Sequence, residues 1–324
     1  MEQTAVEKKF GKYVMASMIT MFLQSAYSMI DGLFVSNLIG DTALSAVNVA
    51  WPVIAVVTAI GTGVGCGGAV MMSTKQGEGK NEESNIVRAN VILALLASSI
   101  VVTILFLVLL TPLLKLMGAE GELLRLSQIY GRVMLTGGVL QILSCGLTPL
   151  LRNDNRAVSA MMIMVGGLFA NLGLDFVFMY VFHMGIGGAA GASLCAQLFT
   201  TLCCLIILGT KKTDPIRFSQ FMIRKEYWKK IFKTAVSPFG ISLTPSLLIL
   251  YHNVACLKFG GDLAVNAYAL ISSTVGSYRV LLIGVAEGIQ PLASYAYGAH
   301  DFHAIRKIRN KAVITAMGVS FFLF

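Results

Sequence analysis

Two carboxylates, Asp31 and Asp175, sit inside long apolar stretches of this 324-residue chain. A charge held near the centre of a bilayer costs at least about 2.5 kcal/mol, so an acidic residue in such a stretch points to function. Asn171 stands four residues before Asp175 in the run Asn171-Leu-Gly-Leu-Asp175, so on a helix the amide and the carboxyl share one face. Such an oxygen-rich face suits a proton or a small hard cation. Other chemistries find less support. His183, His252, His300 and His303 form no His-Glu-x-x-His metal motif. Cys66, Cys145, Cys195, Cys203, Cys204 and Cys256 all fall in apolar stretches and offer neither ligand pairs nor a disulfide framework. No nucleophile–base set stands out, so an enzyme is not expected. The glycines Gly61, Gly63, Gly65, Gly67 and Gly68 lack the strand and the lysine of a phosphate loop, and predict close helix packing instead.

Membrane-spanning helices must position these residues. The chain is 56% hydrophobic and 13% charged, against roughly 25% charged residues in a soluble domain. Apolar runs near 20 residues predict about nine spans, at 13–37, 44–73, 87–111, 128–150, 157–182, 187–209, 234–257, 265–295 and 311 onward. The runs lack period-two alternation, which excludes a β-barrel. The net charge of +9 lies in the loops, so it reports membrane topology and not nucleic-acid binding. With a cytoplasmic N-terminus, twenty of the 25 Lys and Arg residues fall inside, four fall outside, and Arg279 lies within a span. That bias predicts an integral protein of the cytoplasmic (inner) membrane with its N-terminus in the cytoplasm.

The chain also repeats itself. Shifted by 221 residues, Gly40, Asp41, Ala43, Ala46, Gly63, Val64, Gly67, Ser73, Gly77 and Arg88 fall on Gly261, Asp262, Ala264, Ala267, Gly284, Val285, Gly288, Ser294, Gly298 and Arg309. Six spans separate the copies, so both enter the membrane from the same side, which makes a parallel repeat. Residues 1–210 then form an N-lobe of six helices, and 211–233 a basic cytoplasmic linker. Residues 234–324 form an incomplete C-lobe of about three helices. A full second copy would run to roughly residue 430, so a C-terminally truncated chain is expected. The linker holds Tyr227, Trp228, Ile231 and Phe232 among basic residues, and reads as a short amphipathic helix on the anionic inner leaflet.

Several motifs together resemble the multidrug and toxic compound extrusion (MATE) transporters, in their bacterial cation-coupled branch. They are Asp31 followed by Gly-Leu-Phe-Val-Ser-Asn-Leu-Ile-Gly over 32–40, Asn171-x-x-x-Asp175 before Gly188-Ala-Ala-Gly-Ala-Ser193, and Gly288-Ile-Gln-Pro291-Leu-Ala-Ser-Tyr-Ala-Tyr-Gly298. The resemblance covers essentially the whole chain. It implies a 6+6 two-lobe, all-α fold and a secondary antiporter that exports organic cations and amphipathic drugs in exchange for Na+ or H+, working as a monomer among membrane lipids. By position it implies a cation site of Asp31, Asn171, Asp175 and Ser193. For sodium, Asp31, Asn171 and Asp175 would be ligands. For a proton, the two carboxylates would share it. No resident cofactor is implied beyond the coupling ion. The substrate cavity would include Tyr27, Arg279, Glu287 and Gln290, with Glu287 attracting the cation.

The chain departs from the family pattern in places. Ser17 stands where a proline is frequent and Pro238 is its repeat mate, while Glu287 stands where a neutral residue is expected. His252 falls on the repeat position of Asp31 and is expected to be a satisfied core histidine, not a pH sensor. The alternative function is a flippase for a lipid-linked sugar, which would want several Arg or Lys in the cavity for phosphate. Only Arg279 is at hand.

Overall fold

The structure is a computed structural model that describes residues 3–210, 220 and 223–323. It is all-helical, with no strand among the described residues. In lipid an isolated backbone must satisfy its own hydrogen bonds, and the helix does so within one segment. The helices α1 (Gln3–Ile39), α2 (Asp41–Gly77) and α3 (Asn81–Leu116) lead into a broken pair, α4 (Gly121–Thr136) and α5 (Gly138–Asn153). Next come α6 (Ala157–Asp175), prolonged as a π-helix (Phe176–Val181), α7 (Gly185–Gly209), α8 (Lys225–Gly298) and α9 (Phe302–Leu323). Among the described residues five segments are long and apolar enough to cross a membrane, and the α4–α5 pair supplies a sixth. They coincide with the first six spans read from the sequence. Val101, Ile104 and Val108 of α3 are 65%, 60% and 73% exposed, an apolar surface that suits hydrocarbon and not water.

Two of these spans are shaped differently from the expectation. The fourth, expected as one helix over 128–150, is bent by 58° between α4 and α5. A Cβ at Gly137 would strike Leu194, and one at Gly138 would strike the Thr103 hydroxyl, so the break packs where no side chain fits. The buried Gln141 side chain donates to the Met134 carbonyl at 2.5 Å across the break. Hydropathy does not register such a break, because both halves are apolar. The fifth span widens into a π-helix directly after Asp175. Single π turns inside α-helices occur often at functional sites.

The seventh and eighth expected spans lie in the single helical run of α8. Laid straight, its 74 residues would reach about 110 Å. They do not: the rings of His252 and Tyr268 stack with centroids 4.9 Å apart, where a straight helix would separate those residues by about 24 Å. The run therefore doubles back between them and has two arms. Of the expected linker, residues 211–219 and 221–222 lie outside the described residues. The rest is no separate surface helix but the start of α8. Tyr227 and Trp228 pack on the main core, Ile231 is fully buried, and the Arg224 amide donates to Asn90 Oδ1 at 3.1 Å.

The repeat appears in the packing as reciprocal contacts. A Cβ on Gly63 would meet Phe239 at 3.0 Å, and one on its mate Gly284 would meet Met18, the mate of Phe239, at 2.8 Å. Gly67 abuts Ala235 as Gly288 abuts Val14, and Gly77 abuts Tyr295 as Gly298 abuts Thr74. Each pair exchanges under the 221-residue shift, so α2 lies on the first arm of α8 as the second arm lies on α1. The glycine run serves three neighbours at once. Gly61 and Gly65 face Ile142 and Gly146 of α5, Gly63 and Gly67 face α8, and Gly68 faces Val91 of α3. Close helix packing, not phosphate binding, is what these glycines do.

Candidate functional site

Asp175 closes α6 and is fully buried; Asn171, one turn earlier, is nearly so. The Asn171 side-chain N–H donates to Asp175 Oδ2 at 3.1 Å. The Tyr27 hydroxyl of α1 donates to Asn171 Oδ1 and lies 3.5 Å from Asp175 Oδ2. Asp31, four residues after Tyr27 on the same helix, interacts with both Asp175 and Tyr27. The Ser193 hydroxyl of α7 lies beside Tyr27, and the buried Tyr130 of α4 faces both carboxylates. Four helices thus bring Asp31, Asn171, Asp175 and Ser193 into one cluster, although they span 163 positions of sequence.

Its electrostatics are one-sided. Neither carboxylate has a Lys, Arg or His partner among the described residues. Oδ1 of Asp31 and Oδ1 of Asp175 are both buried with no hydrogen-bond partner. Two neighbouring carboxyl groups with free oxygen lone pairs favour a bound positive charge, either a shared proton or a small cation. The described residues include no group of three or more His, Cys, Asp or Glu suited to a metal. An ion here would therefore rest on two carboxylates and the neutral oxygens of Asn171, Ser193 and Tyr27, a donor set that matches hard, weakly held cations.

The residues expected in the substrate cavity separate into three places. Tyr27 belongs to the acid cluster itself. Glu287 and Gln290 lie together on the second arm of α8, against Arg152 at the end of α5: Arg152 Nη1 to Glu287 Oε2 is 2.5 Å and Arg152 Nη2 to Gln290 Oε1 is 3.5 Å. Arg279 lies two turns before Glu287 and does not pair with it. His252 bonds locally, its Nδ1–H donating to the Leu248 carbonyl at 2.8 Å, and its ring stacks on Tyr268. Sequence reasoning missed Tyr130 and Arg152. Tyr130 carries no pattern of its own, and Arg152 reads as one loop charge among many, although it follows directly on the apolar run Leu147–Leu151.

Comparison with known proteins gives the same direction from outside. The MatE family model matches residues 16–177 and 241–324. The multidrug export protein MepA of Staphylococcus aureus (strain N315) is 26% identical over 99% of this chain and 70% of its own length. A crystal structure of a MATE protein in complex with MaL6 superposes with a TM-score of 0.92 at 25% identity, covering 98% of this chain and 70% of that one. A MOP superfamily transporter from Pyrococcus furiosus superposes with a TM-score of 0.91 at 26% identity, with the same coverage.

Proposed function

The chain belongs to the MatE family, and on that premise we propose that it is a multidrug efflux transporter driven by ion antiport. The observation that carries this reading is the pair of neighbouring carboxylates, fully buried Asp175 and half-buried Asp31, each with a buried, unpartnered Oδ1 and with no cationic side chain among the described residues to neutralise them. Sodium or a proton bound among Asp31, Asn171, Asp175 and Ser193, with Tyr27 bridging, removes the uncompensated charge. An empty site restores it, so occupancy biases the packing of α1, α6 and α7 between two states. An organic cation carried outward in the state the ion disfavours would be exchanged for that ion. Glu287 and Gln290 are the acidic and polar groups on α8 that we assign to such a cargo. The orientation follows the Lys and Arg bias, with the N-terminus on the cytoplasmic side of the inner membrane. MepA, a relative over nearly the whole chain, is a multidrug export protein, which supports the same cargo class.

The test uses everted vesicles carrying the protein, loaded with sodium or acidified inside. Ethidium should be taken up in exchange for one of the two ions, and Asp31→Asn should abolish the ion dependence. Uptake indifferent to both gradients, or unchanged in the variant, overturns the reading. Translocation of a lipid-linked sugar in place of ethidium moves it to the flippase.

A further inference from the structure

The polar contacts between α8 and the first six helices gather at the end of the bundle that carries Lys75, Arg152, Arg156 and Arg224. Asn153 Oδ1 accepts from Ser73 at 2.9 Å and from its repeat mate Ser294 at 3.4 Å. The Thr74 hydroxyl donates to the Ser294 carbonyl at 3.4 Å. These bonds are neutral. Among the described residues one ion pair joins the two parts, Arg152–Glu287, with side chains 8% and 24% exposed.

Packing at this crossing does not require that charge. The repeat mate of Glu287 is Cys66, a small neutral residue buried in α2 at the reciprocal crossing. Glycines close both crossings equally well. Burying a guanidinium and a carboxylate where a neutral pair would fit is commonly neutral or unfavourable for stability. Once formed, though, the pair makes separation of its halves costly, because Arg152 is otherwise stranded: its Nε is buried with no acceptor. Glu287 is the more accessible partner. An organic cation is chemically what the guanidinium already is to that carboxylate.

We propose that Arg152 and Glu287 form a cation-releasable latch. The pair holds α8 against the first six helices at this end, and a cargo cation opens the seam by taking Glu287 from Arg152. The competition rests on the proposed export of organic cations; the latch does not. Cys66 supplies a native reporter, since its thiol lies beside Gln290, Arg152 and Glu287 and the residue is 6% exposed.

The experiment labels the purified, full 324-residue chain in detergent with a bulky hydrophilic maleimide and reads modification of Cys66 by peptide mass spectrometry. Wild type, Glu287→Gln and Arg152→Gln are compared with and without tetraphenylphosphonium, after melting curves confirm that each variant is folded. Both variants should label about tenfold faster than wild type, a typical coupling between sites. Tetraphenylphosphonium should accelerate wild type and leave Glu287→Gln unchanged. Unaltered labelling in both variants overturns the latch. No acceleration of wild type by the cation, or equal acceleration of Glu287→Gln, overturns the competition. Failure of the antiport reading appears elsewhere, as vesicle uptake without ion dependence.

Discussion

Two carboxylate-bearing regions of this protein differ in one respect that separates their roles. At Asp31 and Asp175 the acids are neighbours, half-buried and fully buried, surrounded by hydroxyl and amide groups with no cationic side chain among the described residues. At Glu287 the acid is met at 2.5 Å by Arg152 from another helix. The first arrangement has no counter-charge among the described residues, and on the proposed reading it takes a positive charge from outside the protein. The second is complete, and what it adds is a bond between two parts of the molecule. Depth differs among the three acids, from fully buried Asp175 to Glu287 at 24% exposed; the partner, more than the depth, separates a candidate binding site from a fastening.

Removing one acid from the incomplete cluster should do the most harm. Asp175→Asn is expected to cut the ion dependence of ethidium uptake by about 100-fold, the upper range of coupling between sites, with helix content unchanged by circular dichroism. A variant that keeps ion-dependent uptake would show that the two regions do not differ as drawn. Next comes the crossing that holds α8 in place. Gly298→Leu forces a side chain onto the Thr74 backbone, and should destabilise by about 1–3 kcal/mol or more. Gly77→Leu should do the same from the reciprocal side, while Gly240→Ala, with nothing within 4 Å, should not. Thermal unfolding in detergent checks all three.

Finer changes sharpen the comparison. Tyr27→Phe removes the hydroxyl between Asn171 and Asp175 and should weaken ion binding roughly tenfold, the worth of one hydrogen bond to a charged group, measured by ion-induced shifts in Tm. His252→Ala tests the repeat position of Asp31. Its ring bonds the carbonyl one turn back and stacks on Tyr268, so ion-dependent uptake should persist in the variant. Loss of coupling there would place ion chemistry in α8 as well. The smallest effect belongs to Glu78, just past α2, whose carboxyl Lys75 and then Lys80 hold below its usual value. Its stabilisation is present above the ordinary glutamate range and disappears as pH falls through the lowered value. For an exposed pair that is roughly 0–1 kcal/mol, so Glu78→Gln should flatten the acid limb of a Tm–pH curve only slightly.

Much of this protein is determined by its sequence alone. Long apolar runs settle helices over strands, because the bilayer leaves the backbone no other partner. Asp31, Asn171 and Asp175 announce themselves because a polar group at that depth is too costly to be incidental. The 221-residue repeat predicts reciprocal packing, and Gly63, Gly67 and Gly77 do face the mates of what Gly284, Gly288 and Gly298 face.

Tertiary structure decided the rest. Hydropathy averages over a window, so it passes over the break at Gly137 and the π turn after Asp175, where one residue changes the register. The family resemblance places Tyr27 in the substrate cavity, whereas its hydroxyl reaches Asn171 and Asp175. The partner of Glu287 could not be found along α8, because nothing in one helix specifies which charge a second helix presents to it. Arg152 lies 135 residues away. Spacing along a chain fixes what shares a face of one helix. Only the close approach of α5 and α8 decides that Glu287 is already paired, while Asp31 and Asp175 are not.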